Sequence, residues 1–152
     1  MRFYLVVNLD KANAADCAAE AAAELRRCGA EVLLTPELNA VLNCSGCQVL
    51  DEREAMQSCD AAISIGGDGT MIHTALDALE FDRPVIGINS GRLGYLTQIE
   101  PPFGDSCRSW LPDSSAYSPG QCFPSQSVSR MAAPVRAMRS MMWLLPGRWS
   151  PV

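Results

Sequence analysis

Lysine and histidine are almost absent from this chain of 152 residues. The chain contains a single lysine, Lys11, and a single histidine, His73. The phosphate-binding pattern GxxxxGK[ST] requires a lysine directly after a glycine, and Lys11 follows an aspartate, so that pattern is excluded. The spacing GxGxxG is also missing from the glycine-rich residues 66–71. Two common nucleotide-binding motifs are therefore ruled out.

Long apolar runs are also lacking. The longest are a few residues, far short of the roughly 20 that a membrane-spanning helix needs. The opening run, MRFYLVVNLDKAN, is too short for a signal peptide and has no small-residue cleavage site behind it. We therefore expect a cytoplasmic protein without membrane association, built as one ordinary domain or as one domain with a tail.

Cysteine is present, but its pattern indicates no metal site. Seven cysteines form an odd number, and in a chain without a leader they are expected to be reduced. Only Cys44 and Cys47 have the CxxC spacing of metal or redox sites. Because a zinc site takes about four ligands and no second pair exists, we expect this spacing to be incidental.

Charge and composition both change near residue 100. Residues 1–100 contain seven basic and fifteen acidic side chains, whereas residues 101–152 contain five arginines and two aspartates. The acidity of the first part argues against nucleic-acid binding. The second part holds eight of the ten prolines and all three tryptophans, without a sustained period of either secondary structure. We expect a folded nucleotide-binding domain over 1–100 and a poorly ordered tail over 101–152.

Short apolar runs alternate with helical stretches along the first hundred residues. Strands are predicted at 2–9, 30–35, 61–65 and 83–89, and helices at 13–28, 51–58 and 70–79. Most of 36–58 is poorly patterned. The alternation predicts an α/β fold with a parallel, Rossmann-like sheet and helices on both faces.

The stretch ISIGGDGTMIHT, residues 63–74, places an aspartate among glycines at the end of a predicted strand. Ligands of parallel sheets bind beyond the carboxyl ends of the strands. Glycines there permit positive φ angles and a close approach of phosphate or ribose, and the following helix start attracts anions. Asp68 could then accept a proton from a hydroxyl or hold a magnesium ion. The simpler alternative is a turn in which Asp68 caps a helix that begins at Thr70.

Two sequence blocks resemble one family. GGDGT (66–70) followed by PVIGINSGRLGYL (84–96) closely resembles the amino-terminal domain of NAD kinases, which phosphorylate the adenosine ribose 2′-hydroxyl of NAD to give NADP. GGDG[ST] alone is shared with diacylglycerol kinases, sphingosine kinases and 6-phosphofructokinases, so the second block carries the distinction. VVNLDK (6–11) is similar to the first strand and turn of the family.

The resemblance implies a role for each matching residue. Asp68 matches the proton acceptor for the ribose hydroxyl that attacks the γ-phosphoryl of ATP, with magnesium on the triphosphate. The implied nucleotide-binding residues are Gly66, Gly67, Asp68, Gly69, His73, Asn89, Gly91 and Tyr95. Taken without the family, His73 is equally a solvated helix residue, Tyr95 a core aromatic and Asn89 a turn residue.

The resemblance ends near residue 100. NAD kinases carry a second, mostly β domain with an Asn-Glu or Asn-Asp pair, and residues 101–152 contain no asparagine. The second β domain is thus expected to be missing, through truncation or a shifted reading frame, and the homo-oligomer of full-length relatives is doubtful here. A non-catalytic nucleotide-binding fragment remains an alternative. A GGDGT-type lipid kinase is disfavoured by the second block and by the lack of a membrane-binding face.

Overall fold

A computed structural model describes residues 1–90, in which five strands form one sheet. Strands and helices alternate in the order β1 (Arg2–Val7), α1 (Ala14–Arg27), β2 (Glu31–Leu34), α2 (Pro36–Leu42), β3 (Gln48–Val49), α3 (Glu52–Ser58), β4 (Ala61–Gly66), α4 (Asp68–Glu80) and β5 (Val85–Asn89). The strand order is β3-β2-β1-β4-β5 and every pairing is parallel. The predicted α/β fold with a parallel sheet is confirmed. The predicted tail, 101–152, lies outside the described residues.

Alternating residues of the strands pack on opposite faces of the sheet. Phe3 and Leu5 of β1 belong to a core cluster that includes the buried side of α1, whereas Tyr4 belongs to a second cluster with α3 and α4. Period-2 alternation along each strand produces this division. The helices therefore cover both faces, and the carboxyl ends of the strands are left at one edge.

The helix α1 follows its sequence signals closely. Its buried side consists mainly of alanines, whose small side chains let the helix lie close to the sheet. Arg26 and Arg27 occupy the last turn, where positive charge interacts favourably with the negative end of the helix dipole. Gly29 follows with a φ of +82°, and the N–H of Ala30 donates to the carbonyl of Leu25 at 3.0 Å. The predicted glycine stop is confirmed.

Two elements lie in the stretch for which the sequence predicted little pattern. The helix α2 begins after Thr35, whose side chain accepts a hydrogen bond from the N–H of Leu38, and Pro36 occupies its first turn. The strand β3 has only two residues, which pair with the end of β2. Both elements are too short to show a period in the sequence.

Cys44 and Cys47 are joined by a disulfide in the loop between α2 and β3. The expectation that all the cysteines are reduced is therefore wrong for this pair. The two residues are three apart, and their Cα atoms lie 5.9 Å from each other, a separation that a disulfide spans. Cys17, Cys28 and Cys59 are free thiols.

Candidate functional site

The site predicted from the sequence lies where the strand order reverses. From β1 the chain proceeds to β2 and β3 on one side, then crosses to β4 and β5 on the other. Ligands of open parallel sheets bind in the crevice beyond such a switch point. The residues that follow β1 and β4, beginning with Asn8 and Gly67, therefore form the two sides of the crevice. We call these residues, 8–11 and 67–70, the switch-point segments.

Gly66 has no room for a side chain because Thr70 lies close to it. A Cβ at this position would lie 2.5 Å from Oγ1 and 2.8 Å from Cβ of Thr70, too close for any side chain. The expectation that the GGDG glycines supply positive φ angles is wrong, because the described glycines with positive φ are Gly29 and Gly46. The sharp change from strand to helix is instead achieved with ordinary dihedrals and a missing Cβ.

Gly67 and Gly69 leave open space beside the start of α4. A Cβ added to either would meet no heavy atom within 4 Å among the described residues. The helix has 13 residues, and its first N–H groups carry partial positive charge. Unfilled space next to such a helix end is suited to a phosphate or a ribose.

Asp68 is the first residue of α4. The helix begins there, two residues earlier than predicted, and Gly67 occupies the capping position. The arrangement in which Asp68 itself caps the helix is therefore not observed. The N–H of Met71 donates to the carbonyl of Gly67 at 3.1 Å and closes the first turn around Asp68. The carboxylate is partly exposed and lies at the amino-terminal end of the helix.

Asn8 connects the two switch-point segments; in the sequence it belongs to VVNLDK (6–11) but was not among the predicted site residues. Its Nδ2 donates to Oγ1 of Thr70 at 3.3 Å, and its Oδ1 accepts from the N–H of Asp10 at 3.1 Å. Its position at the end of an apolar strand was the available signal. The partner is 62 residues away in the chain, so no local pattern could reveal the contact.

The other predicted site residues lie at different distances from this crevice. Asn89, the last residue of β5, is buried and pairs in register with Gly66. The next residue, Ser90, donates its N–H to the carbonyl of Gly66 at 3.2 Å. His73 is exposed on α4, one helical turn beyond Gly69. Gly91 and Tyr95 lie outside the described residues.

Two general findings concern metals and membranes. Within residues 1–90, no three side chains of the His, Cys, Asp or Glu type come together as a metal site. Across the same residues, every helix is too short or too polar to span a bilayer.

The fold and its switch-point glycines define a Rossmann-like α/β domain. Residues 3–105 match the family model described as the ATP-NAD kinase N-terminal domain, which is more than half of the chain. The chain belongs to this family. The predicted resemblance is confirmed, and the matched range includes the second sequence block.

Individual relatives agree with the family match. The chain is 38% identical over 101 residues to the NAD kinase of Methanoregula boonei, covering 66% of this chain and 35% of the relative. It is 40% identical over 78 residues to the NAD kinase of Helicobacter hepaticus, covering 51% of this chain and 25% of the relative. The chain thus spans about a third or less of the length of these curated relatives.

A solved structure supports the fold. The crystal structure of yeast NADH kinase complexed with NADH superposes with a TM-score of 0.60 at 17% sequence identity. The match covers 72% of this chain and 36% of the yeast chain. At this identity the likeness concerns the arrangement of strands and helices alone.

Proposed function

We propose that this chain is the nucleotide-binding part of an NAD kinase. The reaction is transfer of the γ-phosphoryl group of ATP to the 2′-hydroxyl of the adenosine ribose of NAD, giving NADP and ADP. The observation that carries the proposal is the position of Asp68, a partly exposed carboxylate between two open glycines at the switch point. Family membership supports the same activity.

Asp68 is proposed as the general base. A secondary hydroxyl is a weak nucleophile, so its attack on phosphorus benefits from a positioned acceptor for its proton. The ribose oxygen forms the new P–O bond, the bond to ADP breaks, and the hydroxyl proton passes to the Asp68 carboxylate. Proton transfer of this kind contributes roughly 10²–10⁴-fold to rate. The reacting groups must also be held in line, which binding at a rigid sheet edge favours.

The neighbouring residues are proposed to bind the nucleotide. The space beside Gly67 and Gly69 would admit a phosphate or ribose to the N–H groups of α4. Asn89 lies next to Gly66 at the same edge. His73, Gly91 and Tyr95 remain predicted nucleotide-binding residues on the basis of the family resemblance, and a cytoplasmic location remains a prediction from the sequence.

Magnesium enters this proposal as part of the substrate. The described residues offer no cage of several carboxylates, and magnesium in phosphoryl transfer typically keeps waters and binds the substrate phosphates with one or two carboxylates. The ion would therefore arrive bound to ATP, where it offsets the charge of the triphosphate.

The alternative function is nucleotide binding without catalysis. The chain spans about a third of its relatives, so it could bind nucleotide without completing the reaction. The two functions differ in one measurement: an NAD kinase forms NADP from NAD and ATP, whereas a binding fragment retains NAD without turnover. The family match favours both over the lipid kinase alternative.

The test of the proposed role is Asp68→Asn in the full 152-residue chain. The amide keeps the shape of the side chain but does not accept a proton near neutral pH, so NADP formation should fall by roughly 10²-fold or more. NAD affinity, measured by calorimetry, should change little. Asp77→Asn is the matched control, because Asp77 is an exposed carboxylate further along α4. A variant with near wild-type turnover would refute the role of Asp68, and NAD binding by a wild-type chain without turnover would establish the binding fragment.

A further inference from the structure

Asn8 makes hydrogen bonds within its own turn after β1 and also to the end of β4 and the start of α4. Its backbone N–H donates to the carbonyl of Ile65 at 3.0 Å, and its carbonyl accepts from the N–H of Lys11 at 3.2 Å. Its side-chain oxygen accepts from the N–H of Asp10. Because that backbone group is only a donor, the amide orientation is fixed, and the Nδ2 group faces Thr70.

Thr70 is held between Asn8 and the sheet. Its Oγ1 accepts from Nδ2 of Asn8 and lies directly over Gly66, in the space that a Cβ would otherwise fill. Its carbonyl accepts a hydrogen bond from Oγ1 of Thr74 at 2.9 Å, and Thr74 is only 1% exposed. Thr70 is therefore constrained on three sides, although its side chain is only partly buried.

This contact is made to the first turn of α4. Asp68 is two residues before Thr70 in a turn that the Met71 N–H closes onto the carbonyl of Gly67. If Thr70 shifts, the whole turn shifts, and the carboxylate moves with it. Small displacements matter in catalysis, since misplacement by about 1 Å can reduce turnover roughly 10²-fold.

We propose that Asn8 is a positioning residue: through Thr70 it fixes the Asp68-bearing turn of α4 against the end of β1. The effect on turnover rests on the proposed function. The effect on the turn itself does not, and it can be measured without activity.

The first experiment measures amide hydrogen exchange by NMR in the full 152-residue chain. Asn8→Ala and Thr70→Val each remove the Asn8–Thr70 hydrogen bond, and both should accelerate exchange of the Met71 amide about fivefold or more, the equivalent of one hydrogen bond. Thr70→Ser keeps the hydroxyl and should restore most of the protection. The double variant should exchange no faster than the more affected single variant, because both changes remove the same contact.

Two controls separate this effect from general loosening. The Cys17 amide donates to the carbonyl of Asn13 and closes the first turn of α1, so its exchange should stay constant in the Asn8 and Thr70 variants. Asn13→Ala replaces another asparagine, exposed and making no capping hydrogen bond with its side chain, and should leave the Met71 amide unchanged. The proposal is overturned if Thr70→Val has no effect on Met71, or if the two single effects add in full.

The second experiment measures NADP formation by the same variants. Asn8→Ala and Thr70→Val should lower kcat roughly tenfold or more with little change in the KM for NAD, and Thr70→Ser should recover most of the rate. A purely structural role would instead lower the unfolding temperature while active molecules kept their kcat, and that result would refute positioning. If the wild-type chain forms no NADP, the proposed function fails, and the Met71 exchange still decides whether Asn8 fixes the turn.

Discussion

Glycines 66 and 69 show how one residue type serves two different requirements within four positions. Gly66 is required by the fold, because Thr70 occupies the space of its missing Cβ. Gly69 has open space at the same position and is part of a helix, where alanine is intrinsically preferred. The first glycine therefore maintains the structure, whereas the second keeps space free.

Alanine substitutions at Gly66 and Gly69 should change the free energy of unfolding in opposite directions. Gly66→Ala should lower the free energy of unfolding by about 1–3 kcal/mol, as expected for overpacking. Gly69→Ala should raise it by about 0.5 kcal/mol through better helix propensity, yet weaken NAD or ATP binding because the methyl group enters the free space. Urea unfolding and calorimetric titration measure the two effects. A stabilised Gly69→Ala variant with unchanged nucleotide affinity would contradict the assignment of this space to the ligand.

The sequence located Asp68 but did not explain how it is held. GGDGT is contiguous and follows a buried strand, so both the residue and its place at the sheet edge could be predicted. The φ angles of the GGDG glycines could not be predicted, because they depend on how closely Thr70 approaches Gly66. The contact with Asn8 depends on the pairing of β1 with β4, which brings together residues that no local window contains.

At the level of elements, α2 shows that capping can define a helix too short to have a visible period. Thr35 is buried and accepts from the N–H of Leu38 at 3.3 Å. Pro36 has the fixed φ suited to a first turn. At the other end, Asn43 adopts the left-handed conformation with a φ of +46° and donates its N–H to the carbonyl of Asn39. The boundaries of α2 are thus specified residue by residue.

Removing the cap of α2 should have a measurable cost. Thr35→Ala leaves the N–H of Leu38 without its side-chain acceptor, and we expect a loss of about 1 kcal/mol in the free energy of unfolding. Thr35→Ser retains the oxygen and should lose much less. Urea denaturation followed by circular dichroism measures both variants. Equal losses for the two would show that the Thr35 methyl group, and not the hydroxyl, stabilises this helix.

Length and clear end signals together favoured the elements that were predicted best. The strands β1, β4 and β5 and the helix α1 have five or more residues and clear end signals, and the sequence predicted all of them within a few residues. The strand β3 was missed because two residues show no period. Length alone does not account for α2, because α3 also has seven residues and was predicted at 51–58. The signals of α2 were present only as single residues: Thr35 before the helix, Pro36 at its first position and Asn43 after it.

Across the whole domain, burial on one face of the sheet creates a sensitivity to alkaline pH. Burial raises the pKa of Cys59 from 9.0 to about 11, with Arg83 acting in the opposite direction. Burial, reinforced by nearby acidic groups, also raises the pKa of Tyr4 well above its ordinary value of 10.0. Both residues belong to the cluster that packs beneath α3 and α4.

The stability of the domain should therefore fall as the pH rises above 9. The unfolded chain releases these protons at a lower pH than the folded chain, so unfolding is favoured once the unfolded thiol ionises. For Cys59 the stabilisation is complete below pH 9 and is lost by about pH 11, a change of roughly 3 kcal/mol at most. Urea unfolding between pH 8 and 11 measures the slope, and Cys59→Ala should reduce it. An unchanged slope in that variant would show that Cys59 does not contribute.

The β1–β4 pairing has a further consequence, for the order in which the chain acquires its structure. Phe3 pairs with Ala61, so the strand at the centre of the sheet pairs on one side with a segment made almost sixty residues later. Closing so long a loop is entropically costly and slows folding relative to local pairing. During synthesis, β1 can pair early with β2, but its other edge stays unpaired until β4 leaves the ribosome. The crevice between Asn8 and Asp68 therefore forms late in folding, and a nascent chain that stops before residue 61 lacks one of its two sides.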